Sequence, residues 1–304
     1  MNQPYHQGQI GLQIRAGLRD TAKQVGNSIK SDLPEVAQNF VAQQRMVMVG
    51  SVDPKGGLWA SILTGKPGFI QSPDNHHIII DAKPVGGDEL NLHLNQVDEL
   101  GLLFIDPHSR RRMVFSGKAK LDEQERLVIN GQRIFSQCPK YIQERQFVEM
   151  KEIPQEITFH QGAKLTCKQQ KRLAIADTFF ISTQHPETGS YVSHRGGNPG
   201  FVHVEDESTL VFPDYNGNTM FLTLGNLDMN ANTGLLVVDF ETGHLLQLSG
   251  KAYLEWDYPQ MNRFPGALHL VRFTIEHIND IQNGHPMRWK FGAYSPMNPP
   301  NHKE

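Results

Sequence analysis

Two short stretches of this chain hold residue types suited to binding an anion. The first is Ser193-His194-Arg195-Gly196-Gly197. A guanidinium offers a planar fork of donors matched to phosphate, and adjacent glycines let backbone N–H groups come close to a charged oxygen. The second is Asp214-Tyr215-Asn216-Gly217-Asn218-Thr219, which runs into an apolar segment, Met220 to Leu227, that reads as a helix. Asn218 is a suitable cap for it, and a helix start presents free N–H groups and partial positive charge. A strand-borne arginine and a helix start could thus converge on one phosphate. The same residue types also build ordinary turns in all-β proteins, so on their own they leave both readings open.

Other chemistry-bearing residues point less clearly. Gly65-Lys66 is followed by Pro67 where a phosphate-binding loop needs Ser or Thr. His76-His77 and the other histidines lack any metal-ligand spacing, so no metal site is expected. Arg110-Arg111-Arg112 follows Asp106-Pro107 and reads as a solvated hairpin tip rather than an anion contact. Cys138 precedes Pro139 at the start of what reads as a linker helix through Gln143. A helix start would lower its thiol pKa, but a buried structural cysteine is the preferred reading.

The elements that must position these residues come in two copies. Pro54, Gly57, Ser61, Gly65, Pro67, Gly68, Phe69 and Asp74 fall, 132 residues on, on Pro186, Gly189, Ser193, Gly197, Pro199, Gly200, Phe201 and Asp206. Near the end of each copy the offset becomes 133, where Ser116-Gly117-Lys118-Ala119 falls on Ser249-Gly250-Lys251-Ala252. Identities gather at Gly and Pro, where backbone geometry is constrained. Residues 46–120 and 178–252 therefore read as one β-rich module drawn twice. In the first copy Leu63 stands where the second has Arg195, and Ile62 where it has His194.

Within the first copy, strands are expected at Arg45–Val49, Trp59–Leu63, His77–Asp81, Leu100–Asp106 and Arg111–Leu121, with a short helix over Asp88–Asn95. Short strands in this number predict a small closed barrel, two of which pack as a pseudo-symmetric dimer within the chain. Ahead of them, Ile10, Ile14, Leu18, Ala22, Val25 and Ile29 fall on one helical face. Ser31-Asp32-Leu33-Pro34 then opens a second helix carrying Val36, Phe40 and Val41. The expected layout is a helical arm (1–45), a first module (46–137), a linker with a helix (138–170), a second module (171–295) and a tail (296–304).

Bulk composition narrows the function classes. Lys+Arg number 29 against Asp+Glu 32, a net charge of −3 over 304 residues, which makes no case for nucleic acid or an anionic membrane. The 2 cysteines are too few for a disulfide framework or a zinc cage. The polar start lacks the order of a secretory signal, and no apolar run approaches the roughly 20 residues that span a bilayer. The expectation is a cytoplasmic protein.

The duplicated pattern resembles the FMN-binding split-barrel proteins related to pyridoxamine 5'-phosphate oxidase, and more closely their long two-module branch. The stretches that carry the resemblance are Gln44–Asp53, Trp59-Ala60-Ser61, Cys138-Pro139-Lys140-Tyr141-Ile142-Gln143, Ser193–Gly197, Asp214–Asn218, Thr223-Leu224-Gly225-Asn226-Leu227 and Arg288-Trp289. The resemblance implies a mainly β fold of two tandem split barrels. It also implies an FMN phosphate held by Ser193, His194, Arg195 and Gly196, with later contacts from Pro213, Asp214, Asn218 and Thr219. Trp59, Lys140, Arg288 and Trp289 are its candidates for contacts from the opposite barrel.

Departures from the pattern limit the activity. Asn218-Thr219 replaces the basic pair of true pyridoxamine phosphate oxidases, and the chain ends without their substrate-binding motif. The expectation is therefore an FMN-dependent oxidoreductase of unnamed small-molecule substrate, with one flavin per chain and no vitamin B6 oxidation. A non-catalytic flavin-binding or haem-binding split barrel is the alternative. A reductase as electron donor and a homodimer are the partners it leaves open, and no catalytic acid or base is assigned.

Overall fold

The structure is a computed structural model that describes residues 4–259 and 261–300. The first residues of the arm and the last four of the tail lie outside the described residues. Three helices come first: α1 (Gln7–Arg15), α2 (Arg19–Gly26) and α3 (Glu35–Ala42). The continuous helix expected through Ile29 is broken instead, with Gly17 at φ +69° between α1 and α2. The buried face of α1 is also not the aliphatic one: Ile14 is 61% exposed while Gln9 and Gln13 are buried. Their amides are satisfied there, because Gln9 donates to Asn226 at 3.1 Å and Gln13 to the Met220 carbonyl at 2.9 Å. A hydrogen-bonded amide can take the buried face when its partners are provided. In α3, Phe40 and Val41 are buried as expected, but Val36 is exposed.

The first module follows with β1 (Met46–Val52), β2 (Leu58–Thr64), β3 (Ile70–Gln71), β4 (His77–Ile80), α4 (Glu89–His93), β5 (Glu99–Asp106), β6 (Arg111–Leu121) and β7 (Leu127–Gln137). Between the modules lie β8 (Arg145–Met150), β9 (Phe159–Gly162) and α5 (Cys167–Ile175). The second module is β10 (Thr178–His185), β11 (Gly189–Gly196), β12 (His203–Val204), β13 (Thr209–Tyr215), α6 (Leu222–Met229), β14 (Asn232–Val238), β15 (Leu245–Glu255) and β16 (Ala267–Ile281). The last strand, β17 (Met287–Phe291), pairs with β8. No linker helix forms after Pro139, where residues 138–144 are irregular.

Strand order in the first sheet is β2-β1-β5-β6-β7-β4-β3, and in the second β11-β10-β14-β15-β16-β13-β12. Element for element these are the same path, and every pairing is antiparallel. Irregularities repeat as well. The ladder slips at Ser116/Gly117 in one sheet and at Ser249/Gly250 in the other. Each module is a split β-barrel with its own apolar filling, Val47, Leu63 and Phe104 in the first and Phe179, Leu235 and Phe273 in the second. A third cluster, including Met48, Ile62, Phe180 and Val192, seals the two modules together.

The seam is two-fold in character. A Cβ on Gly101 would stand 2.7 Å from the Ser190 carbonyl oxygen, and one on its counterpart Gly234 would stand 2.5 Å from that of Leu58. Leu58 and Ser190 are themselves counterparts, so the contact is made once in each direction. Such reciprocity defines an isologous interface, here within one chain.

Candidate functional site

Where the modules meet, a cleft enclosing about 920 Å³ of atom-free space, part of it open to solvent, is bordered by β11, β13 and the start of α6 on one side. The end of β7 and the irregular stretch that follows supply the other side. Of the residues expected to hold a cofactor, Ser193, His194, Arg195, Gly196, Pro213, Asp214, Asn218, Thr219 and Lys140 line it. Trp59, Arg288 and Trp289 do not. Trp59 Nε1 donates to Asp53 at 2.9 Å, Arg288 donates to the His285 carbonyl at 3.0 Å, and Trp289 borders a separate groove.

Arg195 is fixed by Asp214, whose carboxylate accepts from Nη1 at 2.6 Å. Its Nε is buried and has no hydrogen-bond partner. Leaving a charged donor unsatisfied is costly, so this atom marks a place for an acceptor. Asp214 sits beside the irregular pairing at Asp214/Tyr215 in β13. Such bulges re-aim side chains at the edges of barrels.

The approach to α6 is strained. Thr219 and Phe221 hold φ of 64° and 56°, and Tyr141 across the cleft holds 68°. Non-glycine residues in the left-handed region each cost about 1–3 kcal/mol and gather at functional sites. The sequence-based expectation of a helix from Met220 capped by Asn218 needs correction. The helix starts at Leu222, its cap position is Phe221, and no side chain caps it. Asn218 Oδ1 instead accepts from the Met220 N–H at 3.2 Å, a local turn of the kind that competes with a helical start. The N–H groups that a helix start leaves unpaired therefore belong to Leu222, Thr223 and Leu224, all bordering the cleft. Thr219 Oγ1 is also buried without a partner.

The same place in the first module is filled from within. There the helix start, α4, is capped by Asp88, which accepts from the Leu90 N–H at 2.9 Å and from the Ser61 hydroxyl at 2.6 Å. Ser61 is the counterpart of Ser193, which meets the Thr223 hydroxyl at 3.0 Å instead. Leu63, counterpart of Arg195, is wholly buried in the core. One module brings its own carboxylate to the helix start, and the other has an open helix start and an arginine.

His194 comes from β11 and turns toward the first module. Arg112 Nη1 donates to its Nδ1 at 3.2 Å. Arg112 in turn holds the Cys138 carbonyl through Nε at 2.9 Å. Burial, reinforced by the Arg112, Arg145 and Arg195 charges, holds the His194 pKa well below its usual value. The imidazole is thus neutral with Nδ1 as acceptor, which leaves the proton on Nε2. The tip reading of Arg110-Arg111-Arg112 holds only for Arg111, which is exposed; Arg110 pairs with Glu144 at 3.3 Å and Arg112 is folded in as described. Opposite, Tyr141 donates to the Asn216 carbonyl at 2.9 Å, and burial pushes Tyr215 up to about 12.

One expected residue acts through its backbone, and one further contributor was not legible as a site residue beforehand. Gly196 lets the strand pass within contact of the linker, since a Cβ there would lie 2.1 Å from the Tyr141 carbonyl oxygen. Gln143, fully buried, donates to the Tyr141 and Gly197 carbonyls at 3.1 Å each and accepts from the Ser295 N–H at 2.7 Å. Its polarity in an irregular segment is the one signal that could have marked it.

No family model and no curated protein matches the chain. Solved structures are similar at low identity. Group A Streptococcus HupZ is 14% identical, with 40% of this chain and 98% of that one covered and a TM-score of 0.33. A putative pyridoxamine 5'-phosphate oxidase from Lactobacillus delbrueckii is 20% identical, with 38% and 94% covered and a TM-score of 0.31. The FAD binding protein from Mycobacterium smegmatis is 16% identical, with 40% and 98% covered and a TM-score of 0.29. Among the described residues no helix is long and apolar enough to cross a membrane.

Proposed function

We propose that the cleft binds FMN, with its phosphate between Arg195 and the start of α6, and that the protein is a flavin-dependent oxidoreductase acting on a small molecule. One contrast carries this reading. The helix start of the second module is uncapped beside an arginine with an unsatisfied buried Nε, while the matching place in the first module is closed by Asp88. A phosphate accepts several N–H donors at once and suits a helix start. Tyr141, Tyr215 and Phe221 border the rest of the cleft and offer flat surfaces to a ring system.

In this reading FMN supplies the electron transfer once bound. The chain's own residues bind and orient. Asp214 sets the direction of the Arg195 guanidinium, and Ser193 and Thr219 supply hydroxyls at the phosphate end. Lys140 and Arg112 bring positive charge from the first module and the stretch after it. His194, neutral and bonded to Arg112, serves as a fixed dipole rather than as an acid. A separate reductase would supply the electrons.

The test is a cofactor-release spectrum of the purified protein, followed by titration with FMN and with riboflavin. Losing one charged hydrogen bond is worth about 1.5–3 kcal/mol. Arg195→Ala should therefore weaken FMN by about 10- to 100-fold and leave riboflavin, which has no phosphate, nearly unchanged. A colourless protein that takes up no FMN would sink the reading. So would equal losses for both ligands. A haem spectrum would replace it.

A further inference from the structure

A second groove lies between α3, the turn joining β5 to β6, and the β8–β17 pair. Its floor is apolar, with Met46, Ile105 and Trp289 almost fully buried. Two guanidiniums border it, each stacked on an aromatic ring: Arg45 at 4.1 Å over Phe147 and Arg111 at 4.8 Å over Phe40. Neither has an acidic partner among the described residues. The carboxylate that also borders the groove, Asp106, is committed to its own turn. It accepts from the His108 N–H at 3.0 Å and the Ser109 hydroxyl at 2.5 Å. Trp289 Nε1 is buried without an acceptor.

We propose that this groove is a second binding site, for a small aromatic carboxylate. The aromatic rings that border the groove, Phe40 and Phe147, suit a flat, uncharged body. The two arginines suit a carboxylate, which a guanidinium holds through paired hydrogen bonds. The ligand carries a single charge, because Asp106 at the rim opposes a more highly charged group such as phosphate. The site is distinct from the cleft at the module seam and shares no lining residue with it. Arg111, the member of the arginine run left without a structural bond, thereby acquires a role.

The probe is 1-naphthoate, titrated calorimetrically against the full chain, with neutral 1-naphthalenemethanol as the comparison. Saturable binding of one naphthoate per chain is expected, with the alcohol at least about tenfold weaker. Arg111→Gln and Arg45→Gln should each weaken naphthoate by about tenfold. Arg195→Ala, in the other cleft, should leave it unchanged. The proposal is overturned if no saturable binding occurs at millimolar probe, if the alcohol binds as well as the acid, or if Arg111→Gln has no effect. Loss of binding in Arg195→Ala alone would place the probe in the seam cleft and overturn it equally.

Discussion

Arg112 of the first module donates to His194 Nδ1 of the second across 3.2 Å. This contact makes the seam cleft a joint product of both modules. It also fixes the imidazole as a neutral acceptor at Nδ1, a state that burial and the surrounding arginines reinforce. Arg112→Gln would remove one of the charges holding that pKa down. His194 should then titrate closer to 6.5, its usual value, in the variant than in the parent. The imidazole C–H proton shifts followed by NMR against pH give the reading, and an unmoved titration would show that burial and the other arginines, not Arg112, set it.

Stability should fall as the solution is acidified below neutrality. His285 is buried with its pKa held down from 6.5 to about 4 by desolvation. Between those values the unfolded chain binds the proton and the folded chain does not, so unfolding becomes easier as pH drops through the window. One such group contributes up to about 1.4 kcal/mol per pH unit. His194 acts in the same direction. Urea unfolding at pH 7, 6 and 5 should show this decline, and His285→Asn should flatten it. A variant with the parent's slope would mean that other groups set the acid limb.

Asp88 gives the opposite sign. Burial raises its pKa from 3.8 to about 6, so its stabilising contribution is full below the unfolded value and is lost as pH rises through the folded one. Asp88→Asn keeps the shape and an acceptor for Leu90 and Ser61 while removing the buried charge. It should raise stability at pH 7 by about 1–3 kcal/mol and have little effect at pH 4. The measurement is the urea midpoint at the two values. A variant less stable than the parent at pH 7 would show that the ionised carboxylate is needed at the start of α4.

Much of the fold was legible because its signals are backbone signals. Gly68 and Gly200 hold φ of +95° and +93° at matching corners, and Gly65 and Gly197 both pack against the phenylalanine four residues on. A repeated need for these geometries leaves repeated letters. The seam site was legible in part for a related reason: Arg195 replaces Leu63, a charge where the twin has core. Its helix start was misplaced because Asn218 can cap a helix or close a local turn, and only the packing of α1 on α6 decides. That packing uses Gln9, Gln13 and Gly8, residues whose pattern carries no apolar period. Trp59 and Trp289 were drawn toward the site by the family resemblance, whereas their positions depend on long-range pairing that spacing does not encode.

The pseudo-two-fold seam makes a paired prediction. Gly101 and Gly234 each face a carbonyl of the opposite module, Ser190 and Leu58, with no room for a Cβ at 2.7 and 2.5 Å. The neighbour in both cases is backbone held in a strand pair, which cannot turn aside as a side chain would. Gly101→Ala and Gly234→Ala should therefore each cost about 1–3 kcal/mol through forced separation of the modules. Their effects on the cleft should match too, because both push apart the same seam from opposite ends. Gly56, at the turn between β1 and β2 with open space around it but φ +84°, supplies the control. Gly56→Ala should lose stability through local strain without changing ligand affinity. Thermal unfolding and FMN titration of the three variants decide the matter. If Gly101→Ala and Gly234→Ala differ from one another as much as either differs from Gly56→Ala, the two halves of the seam are not mechanically equivalent.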